Sequence, residues 1–174
     1  MRKKPTFAGL EGYRKRKNME LLLSDEEAQY LISIIKNIVP QQPRVLEKTA
    51  KGQISIEAKE LKHEFILYYM FALDNIHLNF TDARTHHTLV RINLDQKFHK
   101  NSDGHKVRGN RVEIFSAEEF IKKGDGYTHY KAYPLPFETI RNTNDFFEAI
   151  DDILNYTHTN KGNKTIFVHN TTLL

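Results

Sequence analysis

Polar side chains capable of acid–base and phosphate chemistry crowd into one stretch, RINLDQKFHKNSDGHKVRGNRVE, from Arg91 to Glu113. Asn101-Ser102-Asp103-Gly104 is a turn signal, because Asx and Gly residues tolerate positive φ. It sets His99 and Lys100 on one arm and His105 and Lys106 on the other. Between Lys97 and Arg111 stand five cations, Lys97, Lys100, Lys106, Arg108 and Arg111, against Asp103 alone. Further on, Tyr127, His129, Lys131 and Tyr133 fall at alternate positions and share one face of a strand.

Such a set has the parts for metal-independent RNA cleavage. His99 or Glu113 takes the 2′-hydroxyl proton, His129 or His105 protonates the leaving oxygen, and Arg91 or Arg111 stabilises the charged phosphorane. Tyr127 or Tyr133 stacks a base. The catalytic candidates are therefore Arg91, His99, Glu113 and His129. The candidates for holding nucleic acid are Lys97, Lys100, His105, Lys106, Arg108, Arg111 and Tyr127, joined by Arg14, Lys15, Arg16 and Lys17 near the N-terminus. Two plainer readings compete. Antiparallel sheets commonly carry a wet face with cross-strand charge pairs, and a basic hairpin can hold phosphate without cleaving anything.

Other chemistries fit less well. Cysteine is absent, which removes disulfides, thiolate zinc sites and a Cys nucleophile. His99 with His105, or His86 with His87, lacks the further ligands a metal needs, and neither a metal nor a cofactor is expected. The Asn101 turn lacks the first aspartate and last glutamate of a calcium loop, and Gly124-Asp125-Gly126 is too short for a phosphate loop.

The elements that hold these residues follow from periodicity. Ser24 and Glu27 form a capping box, and Ala28, Leu31, Ile32, Ile35, Ile38 and Val39 recur at helical spacing, predicting a helix from Ser24 to Val39. The period then switches to two. Strands are expected at 54–59, 65–73 (buried on both faces), 76–80, 88–94, 111–115 and 127–133, with turns at hairpin intervals and no helical crossovers. A last helix begins near Asn142 or Thr143, carries the stripe Phe146, Phe147, Ile150, Ile153 and Leu154, and ends near Thr157. The fold class is α+β: an antiparallel sheet of five to six strands flanked by an N-terminal and a C-terminal helix. Residues 1–18 form a basic arm, 19–157 a single domain, and 158–174 a tail with room for one short strand at 165–168.

Charge is divided unevenly. The 174 residues carry a net +4, yet residues 1–18 hold seven basic side chains against Glu11 alone. The arm thus accounts for +6 and the remainder for −2, so a basic pI describes the arm rather than the body. No run is long and apolar enough to span a membrane, and no secretory pattern opens the chain. A cytoplasmic location without membrane contact is expected.

The segments LLLSDEEAQYLISIIKNIV, RINLD, HKNSDGHKVRGNRVEIF, YKAYPLP and NTNDFFEAIDDILNY resemble a family of small bacterial and mobile-element proteins of unknown function. The family pattern is an Arg-x-Asp/Asn strand, a His-x-Asn-x-Asp-Gly turn, a Gly-x-His-x-His-x-aromatic strand and an aromatic-Ala-x-Pro-Leu strand end. Arg91, Asn93, His99, Asn101, Asp103, Gly104, Gly109, Phe115, Ala132, Pro134 and Leu135 match it. Arg111-Val112-Glu113 stands where that pattern has His-x-His; if those histidines are catalytic, this chain is altered or inactive. The family's function being unknown, the resemblance implies the fold and the place of the site, and its mobile-element association a role in bacterium–phage conflict. Taken with the residues above, the expected function is a nucleic-acid-associated protein of such a bacterial or phage conflict system, with a metal-independent ribonuclease as its enzymatic form. The alternative is a non-catalytic binding protein, such as a phage-encoded inhibitor of a host nucleic-acid-handling defence enzyme. The expected partner is nucleic acid, RNA favoured, or a protein that handles it.

Overall fold

In the computed structural model residues 18–162 and 165–169 are described; Arg14, Lys15, Arg16 and Lys17 lie outside the described residues. The capping box at Ser24 is present: its hydroxyl accepts from the Glu27 amide at 3.1 Å, and the Glu27 carboxylate accepts from the Ser24 amide at 2.8 Å. Helix α1 (Asp25–Ser33) then ends six residues before the expected Val39. The run Ile34-Ile35-Lys36-Asn37-Ile38-Val39 is mostly β-branched, a composition that suits a pleated surface better than a helix. Ile34 accordingly takes extended backbone, and β1 (Lys36–Ile38) joins the sheet instead.

β2 (Arg44–Leu46) and β3 (Ala50–Ala58) follow, then a short 3₁₀ turn leading to β4 (His63–Ala72). A two-residue turn, Leu73-Asp74 with Asp74 at φ 57, connects β4 to β5 (Asn75–Asp82). Next come β6 (Thr88–Leu94), the small hairpin strands β7 (Phe98–Lys100) and β8 (Lys106–Arg108), and β9 (Arg111–Phe115). Helix α2 (Ala117–Lys123) precedes β10 (Tyr130–Pro134), and α3 (Phe146–Tyr156) precedes β11 (Thr159–Asn160) and β12 (Phe167–His169).

The main sheet has eight strands in the order β10-β9-β6-β5-β4-β3-β1-β11, larger than the five or six expected. The added strands are short ones that no alternation announces. All its pairings are antiparallel except β1 with β11. Two further pairs, β2 with β12 in parallel and β7 with β8 antiparallel, stand apart.

One face of the sheet is the core. Ile54, Leu67, Leu78, Ile92 and Val112 meet Ala28, Leu31 and Ile32 of α1 and Phe146, Ile150 and Ile153 of α3 in one apolar cluster. The opposite face is not buried along β4. Phe65, Leu67 and Tyr69 point inward, whereas Glu64 and Tyr68 are exposed and Ile66 and Met70 half-exposed, so the strand expected to be buried on both faces has one open side.

The two ends of the inner layer are tied by Lys36, whose side chain is wholly buried. Its ammonium donates to the carbonyls of Ile32 (2.9 Å), Ile34 (2.7 Å) and Thr157 (2.7 Å). The first and third are carbonyls that a helix end leaves without intrahelical partners. The rings of Phe65 and Phe80 lie 5.1 and 5.6 Å from the nitrogen. Burial pulls the lysine pKa down to about 7; three acceptors and two ring faces work the other way by favouring the charged form. Lys36→Met keeps the volume and strands the carbonyls, so urea unfolding is expected to show a loss of about 2–4 kcal/mol. An unchanged midpoint would show that the carbonyls find other donors.

Candidate functional site

Strand register lays the outer-face residues in transverse rows. Gln53, Tyr68, Asn79, Arg91, Glu113 and Ala132 face one another in turn across β3, β4, β5, β6, β9 and β10. A second row brings Lys51, Met70, His77, Asn93, Arg111 and Pro134 together. The segment from Arg91 to Glu113 therefore delivers its charges to one end of this face.

At that end Glu113 is only 2% exposed. Arg91 Nη1 lies 3.5 Å from its Oε2, while Arg111 Nε and His99 Nδ1 lie 3.3 and 3.6 Å from Oε1. Three of the four expected catalytic residues thus converge. Arg111, expected to hold nucleic acid, is buried instead: its Nη1 donates to Asp95 Oδ1 at 2.7 Å and to the Gly109 carbonyl at 3.0 Å. Burial works to raise the Asp95 pKa, but the Arg111 guanidinium, the Lys97 amide and His77 hold it below the ordinary carboxylate range. Arg91 alone of the two arginines reaches solvent, with a side chain 28% exposed. It donates to the Tyr130 hydroxyl at 3.1 Å and lies 4.7 Å over that ring.

His99 sits between unlike neighbours. Its Nδ1 faces Glu113, and its Nε2 lies 3.5 Å from Lys123 Nζ on α2. Burial lowers its pKa, Glu113 opposes that shift and Lys123 adds to it.

His129 does not join the cluster. Its Nδ1 donates to the Tyr127 carbonyl at 2.7 Å and its Nε2 accepts from the Thr88 amide at 2.9 Å. Both nitrogens are committed to backbone, so the ring pins β10 to β6 and has no proton to give a substrate. The expectation that Tyr127, His129, Lys131 and Tyr133 share the chemical face is corrected with it. Lys131 and Tyr133 pair with Ile114 and Val112, and it is Tyr130 and Ala132 that pair on the side of Phe115 and Glu113.

The turn at Asn101 forms as expected, with the Gly104 amide donating to the Asn101 carbonyl at 2.9 Å. The Asn101 side chain also accepts from the Ala132 amide at 2.9 Å and donates to its carbonyl at 3.0 Å. Ser102 is held by Glu119 of α2. That helix was unexpected, though Ser116-x-x-Glu119 repeats the pattern that marks α1. The β7–β8 hairpin consequently lies against the sheet with His99 and Val107 inward. Its other side presents Phe98, Lys100, Lys106 and Arg108, all exposed, as are Lys97 and His105. Phe98, which residue charge alone does not flag, is 45% exposed, with Lys106 Nζ and the Arg108 guanidinium 5.1 and 5.0 Å from its ring centre. Tyr127, whose carbonyl holds His129, is exposed.

No group of three or more His, Asp or Glu side chains placed to hold a metal ion occurs among the described residues. None of the described helices is long and apolar enough to cross a membrane.

Residues 23–159 match the model of DUF6978, a family of unknown function. The chain belongs to this family. The matched span takes in α1, the ionic centre at Glu113, the hairpin and α3, so the whole site lies within what DUF6978 members share a model for. No curated protein and no solved structure matches the chain.

Two outcomes test this geometry. Glu113→Ala leaves two guanidiniums facing an apolar gap and is expected to cost about 3–5 kcal/mol in denaturant unfolding; a surface-like change below about 0.5 kcal/mol would contradict the enclosed arrangement. Burial lowers the His129 pKa to about 4, below the unfolded value of about 6.5. The unfolded chain therefore takes up the proton first on acidification. Stability falls by about 3 kcal/mol as pH drops from about 6.5 to about 4. Melting curves of wild type and His129→Gln across that range are expected to differ by this steepness, and parallel profiles would refute it.

Proposed function

We propose that the protein binds single-stranded nucleic acid, RNA in preference, through the outward side of the β7–β8 hairpin, and does not cleave it. The observation that carries this reading is Phe98, a ring 45% exposed beside Lys106 and Arg108. A ring in water offers a stacking surface for any base, and flanking cations take the phosphates on either side. Lys100 extends the basic edge, opposite Lys106 in the register. The arrangement supports binding over cleavage for two reasons. Glu113, one of the two candidate bases, is enclosed and already shared by Arg91 and Arg111. The acid assigned to His129 has no free nitrogen. The setting we propose is conflict between bacteria and mobile elements, on the strength of the sequence resemblance alone.

Fluorescence anisotropy with a labelled oligoribonucleotide is the direct test. Three phosphate contacts predict affinity falling about 20-fold between 50 and 200 mM salt. Phe98→Ala is expected to weaken binding about tenfold, and Lys106→Glu with Arg108→Glu to abolish the salt dependence. A DNA oligomer of the same sequence is expected to bind less tightly. Incubation with RNA in EDTA is expected to leave it intact; products with 2′,3′-cyclic ends would restore the ribonuclease reading. Absent or salt-insensitive binding would remove the proposal.

A further inference from the structure

The open side of β4 carries apolar side chains that the described residues leave partly uncovered. Tyr68 is 39% exposed, Met70 is half-exposed beside it, and the two border a hollow of ≈ 490 Å³ on the outer face, also lined by Lys51, Gln53, His77 and Asn79. That volume lies in the range of small-ligand sites, about 300–1,000 Å³. Apolar residues at this uncovered part of the sheet are not accounted for by the core, to which Tyr68 and Met70 do not belong.

What surrounds Tyr68 defines the chemistry. Gln53 and Asn79 stand directly opposite it on the two neighbouring strands, so a planar group stacked on the ring meets a carboxamide at each side. Carboxamides supply paired donors and acceptors of the kind that base edges present. Asn79 Oδ1 is withdrawn from water and has no hydrogen-bond partner among the described residues. A half-turn of the carboxamide about its terminal torsion would bring this oxygen to the surface, where it can accept from an exocyclic amine. The next residue along the same row is Arg91, two strands from Tyr68 and hence about 10 Å away. Its guanidinium reaches on along the row to Glu113 and Tyr130, so a strand stacked on Tyr68 meets it beyond the first neighbouring nucleotide.

Charge gives the direction. Along β3 and β4 the outer face ends in Glu57 opposite Glu64, which repels a phosphate backbone running parallel to the strands. Across the strands the row runs from Gln53 to Arg91, whose guanidinium lies over the Tyr130 ring, and then to the hairpin held by Asn101 on Ala132.

We propose that Tyr68, with Gln53 and Asn79 at its sides, is a nucleobase subsite, that it prefers bases bearing an exocyclic amine, adenine and cytosine among them, over uracil, and that the strand it holds crosses the sheet past Arg91 to the basic hairpin. This rests on the single-stranded nucleic-acid reading above and extends it from a phosphate-and-stacking contact to a base-selective one.

The test uses the full chain and four labelled RNA oligomers of equal length: oligo(A), oligo(C), oligo(U), and an oligomer with abasic sites through its central half. Wild type is expected to bind the first two more tightly than oligo(U), and the abasic one least. Tyr68→Ala is expected to weaken oligo(A) binding about tenfold and leave the abasic oligomer unchanged. Tyr68→Phe is expected to retain wild-type affinity, and Asn79→Ala to erase the preference over oligo(U). Because Tyr68 is exposed, its loss leaves the melting temperature within a degree or two. Wild-type binding that Phe98→Ala weakens but Tyr68→Ala does not would overturn the subsite and leave the hairpin reading standing. Failure of wild type to bind any of the four would overturn both.

Discussion

A carboxylate that hardly touches water governs how the outer face is built. Glu113 sits in the middle of β9, and a charge so placed is tolerated only when cations and hydrogen-bond donors surround it. Arg91 comes from the neighbouring strand, Arg111 from two residues earlier on the same face, and His99 from the hairpin. The last contact has the longest reach. By drawing His99 down, Glu113 helps hold the hairpin against the sheet, and Arg111 reinforces this through the carbonyl of Gly109 and the carboxylate of Asp95. Removing Glu113 leaves two arginines without their shared acceptor, and removing either arginine leaves an enclosed carboxylate with one cation fewer.

The same neutralisation separates two populations of cations. Arg111 is consumed inside the protein, whereas Lys97, Lys100, Lys106 and Arg108 remain in solvent. Basic residues adjacent in sequence therefore divide into structural and available ones, and a strand period of two does the sorting. Arg91 lies between, anchored to Glu113 at one edge and turned toward Tyr130 and water at the other. An arginine half-used by the fold is already oriented for a partner, which lowers the entropy lost on binding.

Much of this was legible in the residues. Alternation marks β9 at 111–115 and β6 at 88–94, and with them the meeting of Arg91 and Glu113. The Asn-Ser-Asp-Gly turn marks the hairpin, and the capping box marks the start of α1. What was not legible has specific causes. Tyr127-x-His129-x-Lys131-x-Tyr133 alternates equally well in either register, and a slip of one residue exchanges the faces; only the backbone partners of His129 decide it. The nine-residue apolar run FILYYMFAL looks the same whether one or both faces are covered, and coverage is a tertiary fact. Glu113 has the composition of a base, but of the two arginines that silence it Arg91 arrives from another strand, and that Arg111 turns inward to it is a tertiary fact. Lys36 is the extreme case, because charge suggests the surface and three carbonyls brought from two helix ends hold it inside.

Asn101 terminates the sheet. An edge strand normally offers a ladder of unpaired amides and carbonyls to any extended chain that passes. Here one carboxamide stands in for a whole neighbouring strand at Ala132, giving one hydrogen bond and taking one. The hairpin's anchor and the edge's guard are thus a single side chain. A molecule that lifted the hairpin away would uncover a template for strand addition in the same motion, so the two faces of that loop, one basic and one protective, are mechanically coupled.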